Sequence, residues 1–457
     1  MRNDPYMATI ESELTRICCG NIGADVRALA RFSLLDWLGC IFAARATPVA
    51  LAWARALNAD RHDVLRSAMS PDRTDAQGAA LALGGLGNVL EMDDLHRASI
   101  LHPGDTVCAA ALAVAMRRPT SGPTLLAAIV RGYEIATRIG VAVAAGGYTP
   151  FYNSGTCGVF GAAMAAADLH RLGSAHLADA LGQAGMQAAG IWQCRLEPGF
   201  SKQLATAHAA RAGVLSAELG AAGFTGPQAI LTGEMGFFKS YYPGADPAAV
   251  LDPQPWAISR MSYKPFPACR HAHPAISAAL ALGADLSSPV QRVDIHTYRA
   301  AIDFCDNTAP ETADQARFSL QHAVAVALQK GAPEIVDFAP PALQVPATKA
   351  LRGLVHLHVD PEYDAAFPNQ YGARVVATTA DSTTHTATCP AAWGDPENPM
   401  SEADLIAKFQ RNAAHGGLTA KAATNVQEAV LALADAPDLG ALAQSLAQSL
   451  VPQQETA

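Results

Sequence analysis

The chain has 457 residues, is half hydrophobic and only 16% charged, and carries a formal net charge of −9. That length exceeds one ordinary core and points to two domains. The acidic balance, with no run of Lys or Arg, argues against a nucleic-acid partner and leaves any anionic ligand to be met by a few local cations.

Nine cysteines are scattered without a CxxC pair, which suggests neither a disulfide framework nor a zinc ribbon. The polar, partly acidic N-terminus is not read as a signal peptide, and no apolar run has membrane-spanning length. A cytoplasmic protein without a membrane partner is expected.

The first half reads as helix after helix. ADVRALARFSLLDWLGCIFAAR sets Val26, Leu29, Ala30, Leu34, Trp37 and Leu38 at helical spacing. DAQGAALALGGLGNVL predicts a helix of small residues. Gly84, Gly85 and Gly87 lower its propensity, so close packing is their expected reason. EMDDLHRASILHPGD follows, a dense group of acids and bases: Glu91, Asp93, Asp94, His96, Arg97, His102 and Asp105. His102-Pro103-Gly104-Asp105 reads as a turn, with Asp105 as N-cap of the next helix, TVCAAALAVAMRR. Acid and base groups on a loop between rigid buried helices suit proton transfer. Further helices are predicted in GPTLLAAIVRGYEIATRIGVAVAAGG, TPFYNSGTCGVFGAAMAAADLHRLG, SAHLADALGQAGMQAAGIWQ and SKQLATAHAARAGVLSAELGAAG.

Near residue 255 the texture changes. VQRVDIHTYR alternates Val293, Ile295 and Thr297 as a strand, ADQARFSLQHAVAVALQKG predicts a helix ended by Gly331, and LVHLHVD alternates again. ARVVATTADSTTHTATC reads as a hairpin turning at Asp381-Ser382. From MSEADLIAKFQRNAA onward the chain is helical again, with Ser401 as N-cap. The expected fold is therefore mainly α: a large, discontinuous all-helical domain (1–256 and 393–457) with a smaller α+β domain (257–392) inserted before the C-terminal helices.

Three more constellations bear on chemistry. Lys202, after Pro198-Gly199 and just inside a helix, is electrostatically poor for that helix alone but apt for an anion at its N-terminus; His208 lies further along. Lys264 is fixed between prolines in YKPFPACRHAH, ahead of Arg270, His271 and His273. Cys269, His271 and His273 could ligate a metal, but such short spacing without a second cluster is a weak signal; a polycarboxylate pocket with Arg270 as bidentate clamp uses these residues more naturally. Tyr152, Asn153, Ser154 and Thr156 precede a Gly/Ala helix, and such neutral donors suit a carboxylate or a developing enolate oxygen. There is no P-loop, GxSxG or HExxH, so neither metal nor cofactor is expected.

Taken in order, the DD…HP segment at Asp93 to Pro103, GTCGVFGAAMAAA, ALGQAGMQAAGI, SKQLATAHAAR, GPQAILTGEMGF, YKPFPAC and ARFSLQHAVAVAL resemble the MmgE/PrpD family, which includes 2-methylcitrate dehydratases, cis-aconitate decarboxylases and iminodisuccinate epimerase. The resemblance implies a helical domain with an inserted α+β domain, an active site lying between them, a homodimer, and site residues at Glu91, His102, Lys202 and Lys264 with Asp93 and Asp94 beside them. The chain departs from the family pattern at Leu95 (Thr), Tyr152 (His) and His322 (Tyr).

Bond making or breaking next to a carboxylate is the implied chemistry. Lys202 and Lys264, with Arg270 or Arg97, would neutralise substrate carboxylates, His102 would be general base or acid, and Tyr152 would serve the opposite face. The first reading is a cofactor-independent lyase on a di- or tricarboxylate, of 2-methylcitrate dehydratase type. The alternatives are an iminodisuccinate-type epimerase, a decarboxylase-like enzyme, and a carboxylate-binding protein without turnover. His96, Ser154, Thr156, His208 and His273 complete the expected substrate-binding set.

Overall fold

A computed structural model describes residues 9–57, 64–197, 199–283, 286 and 288–450. The chain divides into two compact units, one of Met1–Val89, Asp93–Met261 and Ser401–Ala457, the other of Leu90–Met92 and Ser262–Met400. Among the described residues no single helix is long and apolar enough to cross a membrane.

The helices of the larger unit that carry the argument are α1 (Ala24–Ala44), α2 (Ala76–Gly84), α3 (Gly104–Ala115), α4 (Gly122–Ala144), α5 (Gly158–Leu169), α6 (Ser174–Gly185) and α7 (Ser201–Ala221). From Phe32 to Ala44 every residue of α1 is buried, as expected of a helix that is apolar all round. Small residues let backbones meet at α5. A Cβ on Gly132 of α4 would lie 2.8 Å from the Gly161 carbonyl oxygen, and one on Gly213 of α7 would lie 2.6 Å from the Ala163 nitrogen. The same spatial reason holds at the end of α2, where a Cβ on Gly84 would be 2.9 Å from Ala210 Cβ and one on Gly85 2.4 Å from the Trp53 indole nitrogen.

Two local expectations are corrected here. The helix read through residue 90 stops at Gly84, and only a 3₁₀ turn, Gly87–Leu90, follows. Asp105 is not an N-cap: α3 starts two residues earlier than expected, with Pro103 at the cap, and Asp105 sits fully buried in the first turn. Proline's fixed φ and the missing side chain at Gly104 let the helix begin there. Pro198 lies outside the described residues.

The smaller unit is built on a four-stranded sheet of β1 (Val290–Thr297), β2 (Val355–Val359), β3 (Ala373–Thr379) and β4 (Thr384–Cys389), in the order β2-β1-β3-β4. β1 runs parallel to β2 and antiparallel to β3, and β3 and β4 form the hairpin. Its turn lies where expected: Asp381 accepts from the Thr379 hydroxyl at 2.6 Å and the Thr383 amide at 3.1 Å, and Ser382 takes a left-handed φ of 63°. Val293 and Ile295 of β1 and Val375 and Ala377 of β3 turn to one face, where they pack with Ile276 and Ala279 of α8 (His273–Gly283) and Val324 and Ala327 of α9 (Leu320–Lys330). The helix expected over 313–330 is broken at Phe318, because the Ser319 hydroxyl caps a fresh start by accepting the His322 amide at 3.0 Å.

The chain then returns to the larger unit through α10 (Glu402–His415) and α11 (Ala420–Leu431). Ser401 and Asp404 form the capping box of α10. α10 lies on α1: Phe42 and Phe409 meet edge to face at 6.2 Å, and Lys408 makes a fully buried ion pair of 2.6 Å with Asp36. Arg31 donates to the Leu431 carbonyl at 2.8 Å, a contact between residues 400 apart. The fold is mainly α, a large helical part with a smaller α+β part in the C-terminal half.

Candidate active site

The loop ahead of α3 is pinned at several points. His96 and Leu101 pair across it, their amides donating to each other's carbonyls at 2.8 and 3.3 Å, and Ile100 turns the chain with φ 50°. Asn153 donates to the Ser99 carbonyl at 3.0 Å, and the Ser154 hydroxyl accepts the His102 amide at 3.0 Å. Loop conformation is thus set from two directions, which fixes where His102 stands.

The His102 imidazole lies with Nδ1 2.7 Å from Asp93 Oδ2; His102 keeps 13% of its side chain exposed and Asp93 1%. A buried carboxylate behind a partly exposed imidazole holds the Nδ1–H tautomer and leaves Nε2 as the basic atom. Asp94 points away from this pair. It accepts from the Tyr133 hydroxyl at 2.7 Å and the Gly104 amide at 3.1 Å, and burial, despite those donors, pushes its pKa up to about 7. Asp105 completes the acid cluster. Burial first, then the neighbouring Asp93 and Asp94, push its carboxyl well above the usual carboxylate range, while the Lys202 ammonium pulls the other way.

Lys202 therefore stands, half-buried in the first turn of α7, on the side of the acid cluster. His208 does not share its direction. It binds the Gln187 carbonyl at 3.0 Å and lines, with Ile191, Cys194, Ser201 and Leu204, a cavity of about 530 Å³.

Several expected ligand contacts turn out to be internal. His96 is 2% exposed and binds the Ser99 hydroxyl at 2.9 Å; burial, with Arg260 and Arg97 adding to it, pushes its pKa down to about 3, so it is a neutral part of the loop. Arg97 beside it is also buried. Ser154 serves the His102 amide. Thr156 is fully buried and shares a 2.5 Å hydrogen bond with the Tyr242 hydroxyl, which also donates to Asn153 at 3.3 Å. Tyr152 has no exposed surface and packs on Trp192 with ring centroids 4.5 Å apart. Asn153, Ser154 and Thr156 thus set the loop and its wall.

In the smaller unit, Lys264 is completely buried and its ammonium lies 3.3 Å from Glu91 Oε2. Glu91 takes a left-handed φ of 53°, uncommon for a residue with a side chain. The Tyr263 amide donates to the Gly394 carbonyl at 2.8 Å; Gly394 has φ 93°, and a Cβ there would fall 2.0 Å from the Tyr263 oxygen. Arg270 and His273 support this segment. Arg270 is ion-paired with Asp395 and donates to the Trp393 carbonyl at 3.2 Å, and Asp395 also accepts from Ser262 at 2.6 Å. His273 has both ring nitrogens engaged, with Arg270 at 3.3 Å and the Ala268 carbonyl at 3.0 Å. His322 is buried on the Asp337 carbonyl at 2.8 Å. Among the described residues no three His, Cys, Asp or Glu side chains are arranged to hold a metal ion.

Sequence reasoning missed Tyr133, Tyr242 and the Asp36–Lys408 pair. Tyr133, Asp36 and Lys408 lie within helices and Tyr242 just past the end of one, and nothing local distinguishes them from core residues.

Comparisons of the sequence relate the chain to known proteins. Over 241 residues the chain is 29% identical to a cis-aconitate decarboxylase-like protein of Aspergillus oryzae, covering 50% of this chain and 49% of that protein. Over 227 residues it is 26% identical to the cis-aconitate decarboxylase of Mus musculus, covering 47% and 46% respectively. These alignments span about half the length of either relative. Residues 14–249 match the model of the MmgE/PrpD N-terminal domain and residues 266–435 that of the C-terminal domain, so the chain belongs to the MmgE/PrpD family.

Proposed function

We propose that the chain is a cofactor-independent lyase acting on a di- or tricarboxylate by proton transfer at a carbon next to a carboxylate. The observation that carries this is the His102–Asp93 pair, a partly exposed imidazole 2.7 Å from a buried carboxylate. Nε2 of His102 takes the proton, and Asp93 stabilises the imidazolium that forms. Negative charge spreads onto the substrate carboxylate as the bond to hydrogen breaks. Lys202 offsets that charge. In the dehydratase form of the reaction the neighbouring hydroxyl then leaves with the proton that His102 carries, giving an alkene and water.

A second reading is a carboxy-lyase. It is favoured by the two relatives, both of which bear the name cis-aconitate decarboxylase or a name derived from it. Here the carbanion-like state arises by loss of carbon dioxide, and imidazolium at His102 supplies the proton that replaces it.

The test is incubation with a panel of di- and tricarboxylates in deuterated buffer, followed by NMR. A new alkene with unchanged carbon count supports the dehydratase, and release of carbon dioxide with one deuterium incorporated supports the carboxy-lyase. His102→Gln is expected to lower turnover by about 10²–10⁴-fold, the usual contribution of a general acid–base group. Full activity in that variant would remove His102 from the reaction. Lys202→Met is expected to lower kcat and kcat/KM together, because that ammonium meets the developing charge; a change confined to KM would overturn this role.

A further inference from the structure

Asp105 is a fully buried carboxyl in the first turn of α3, in side-chain contact with the carboxyl of Asp93. Neither of its oxygens accepts a hydrogen bond from an N–H or O–H group among the described residues. The space for it is made by a missing side chain, since a Cβ on Gly87 would fall 1.8 Å from Asp105 Oδ1 and 2.8 Å from the Trp37 indole nitrogen. An ionised carboxylate is strongly disfavoured in such a place, whereas a carboxylic acid has one O–H to give and a carboxylate beside it to receive it.

We propose that Asp105 is a protonated acid that donates its O–H to Asp93, and that it is thereby a positioning residue setting the basicity of His102. This rests on the reading of His102 as the base. Asp93 then accepts from both sides, from Asp105 and from His102 Nδ1. Part of its charge is taken up by the acid, so the proton on Nδ1 stays with the imidazole when Nε2 gains a second one. No net proton leaves Asp105 in the cycle.

The surroundings are compatible with one neutral acid at this place. Asp93 and Asp94 face it from the loop, Lys202 from α7, Cys108 from its own helix and Cys40 from α1. Burial pushes both thiols well up, so they carry no charge. Asp36, the next acid on α1, has its counter-ion in Lys408.

Two readings on the full chain test the proposal, and neither needs a substrate, so failure of the turnover assay is a separate outcome. The first is the infrared carboxylic C=O band at pH 9, where Asp94 is ionised. A band lost in Asp105→Asn supports the proposal; absence of such a band in the unaltered protein overturns it. The second is the NMR titration of the His102 imidazole, assigned by its loss in His102→Gln. Asp105→Asn keeps a donor toward Asp93 and should leave the His102 midpoint where it was. If Asp105 were ionised, removing its charge would lower that midpoint by about one unit or more, and that result overturns the proposal. Asp105→Leu removes the donor and is expected to raise the midpoint, which a merely space-filling role for Asp105 would not do. With a turned-over substrate in hand, the acidic limb of the kcat/KM profile should move in the same direction.

Discussion

At Asp94 the folded chain holds a proton that the unfolded chain releases much earlier, about 7 against an ordinary value of 3.8. The sign follows from proton counting: between those values the folded state binds more protons, so stability is full below about pH 4 and declines as pH rises to about 7. The whole decline is on the order of 4 kcal/mol at about 1.4 kcal/mol per unit. His96 does the opposite. Its pKa falls from 6.5 to about 3 on burial, so its contribution is full above 6.5 and is lost as pH falls toward 3. In Asp94→Asn the alkaline decline is expected to become shallower, Asp105 keeping its own share, while the acid loss from His96 remains. Urea unfolding of both proteins from pH 4 to 8 checks this, and parallel curves would refute it. The sequence made Asp93, His102 and Lys202 legible because charged groups are scarce in this chain and these three sit at loop or helix starts. It did not show that His96, Arg270, Ser154 and Thr156 face inward, because their partners Ser99, Asp395, the His102 amide and Tyr242 are chosen by packing, which local spacing does not report.

Elements show where glycine decides the architecture. Gly87 follows the end of α2, and its lack of a side chain is what admits the Asp105 carboxyl and the Trp37 indole to the same place. Gly87→Ala is expected to cost about 1–3 kcal/mol, the usual range for overpacking, and to displace Asp105 from Asp93. The loss should appear in thermal unfolding and in the His102 titration together; a variant that unfolds earlier with an unchanged His102 midpoint would separate the two. Periodicity alone ran this helix on to residue 90 and joined 313–330 into one. In both cases the alternation of apolar residues persists across a break made by backbone geometry, by Gly84-Gly85 in one and by the Ser319 cap in the other. The strands were easier, since Val293, Ile295 and Thr297 bury one face and leave the other wetter, a period that no helix shares.

On the scale of the whole molecule, the larger unit is closed by residues from the far end of the chain. Lys408 of α10 meets Asp36 of α1 at 2.6 Å with neither group exposed. Lys408→Met alone leaves a buried acid uncompensated and is expected to cost about 3–5 kcal/mol, whereas adding Asp36→Asn should recover most of it. Denaturant unfolding of the two single variants and the double variant measures this, and simple additivity of the single effects would show that the pair is not coupled. The change in texture near residue 255 made the smaller unit visible in the sequence, but the pairing across hundreds of residues was not, because neither partner carries a local sign of the other.

This pairing also gives the protein a timetable. During synthesis α1 emerges early, bearing an acid that will be buried and an arginine, Arg31, whose carbonyl partner lies 400 residues downstream. The smaller unit is contiguous apart from Leu90–Met92, so all its strands leave the ribosome before Lys408 does. A domain can fold only when its own parts are present. A chain truncated after residue 400 should therefore hold a protease-resistant smaller unit and an α1 that is still open to cleavage, and extension through α10 should protect α1.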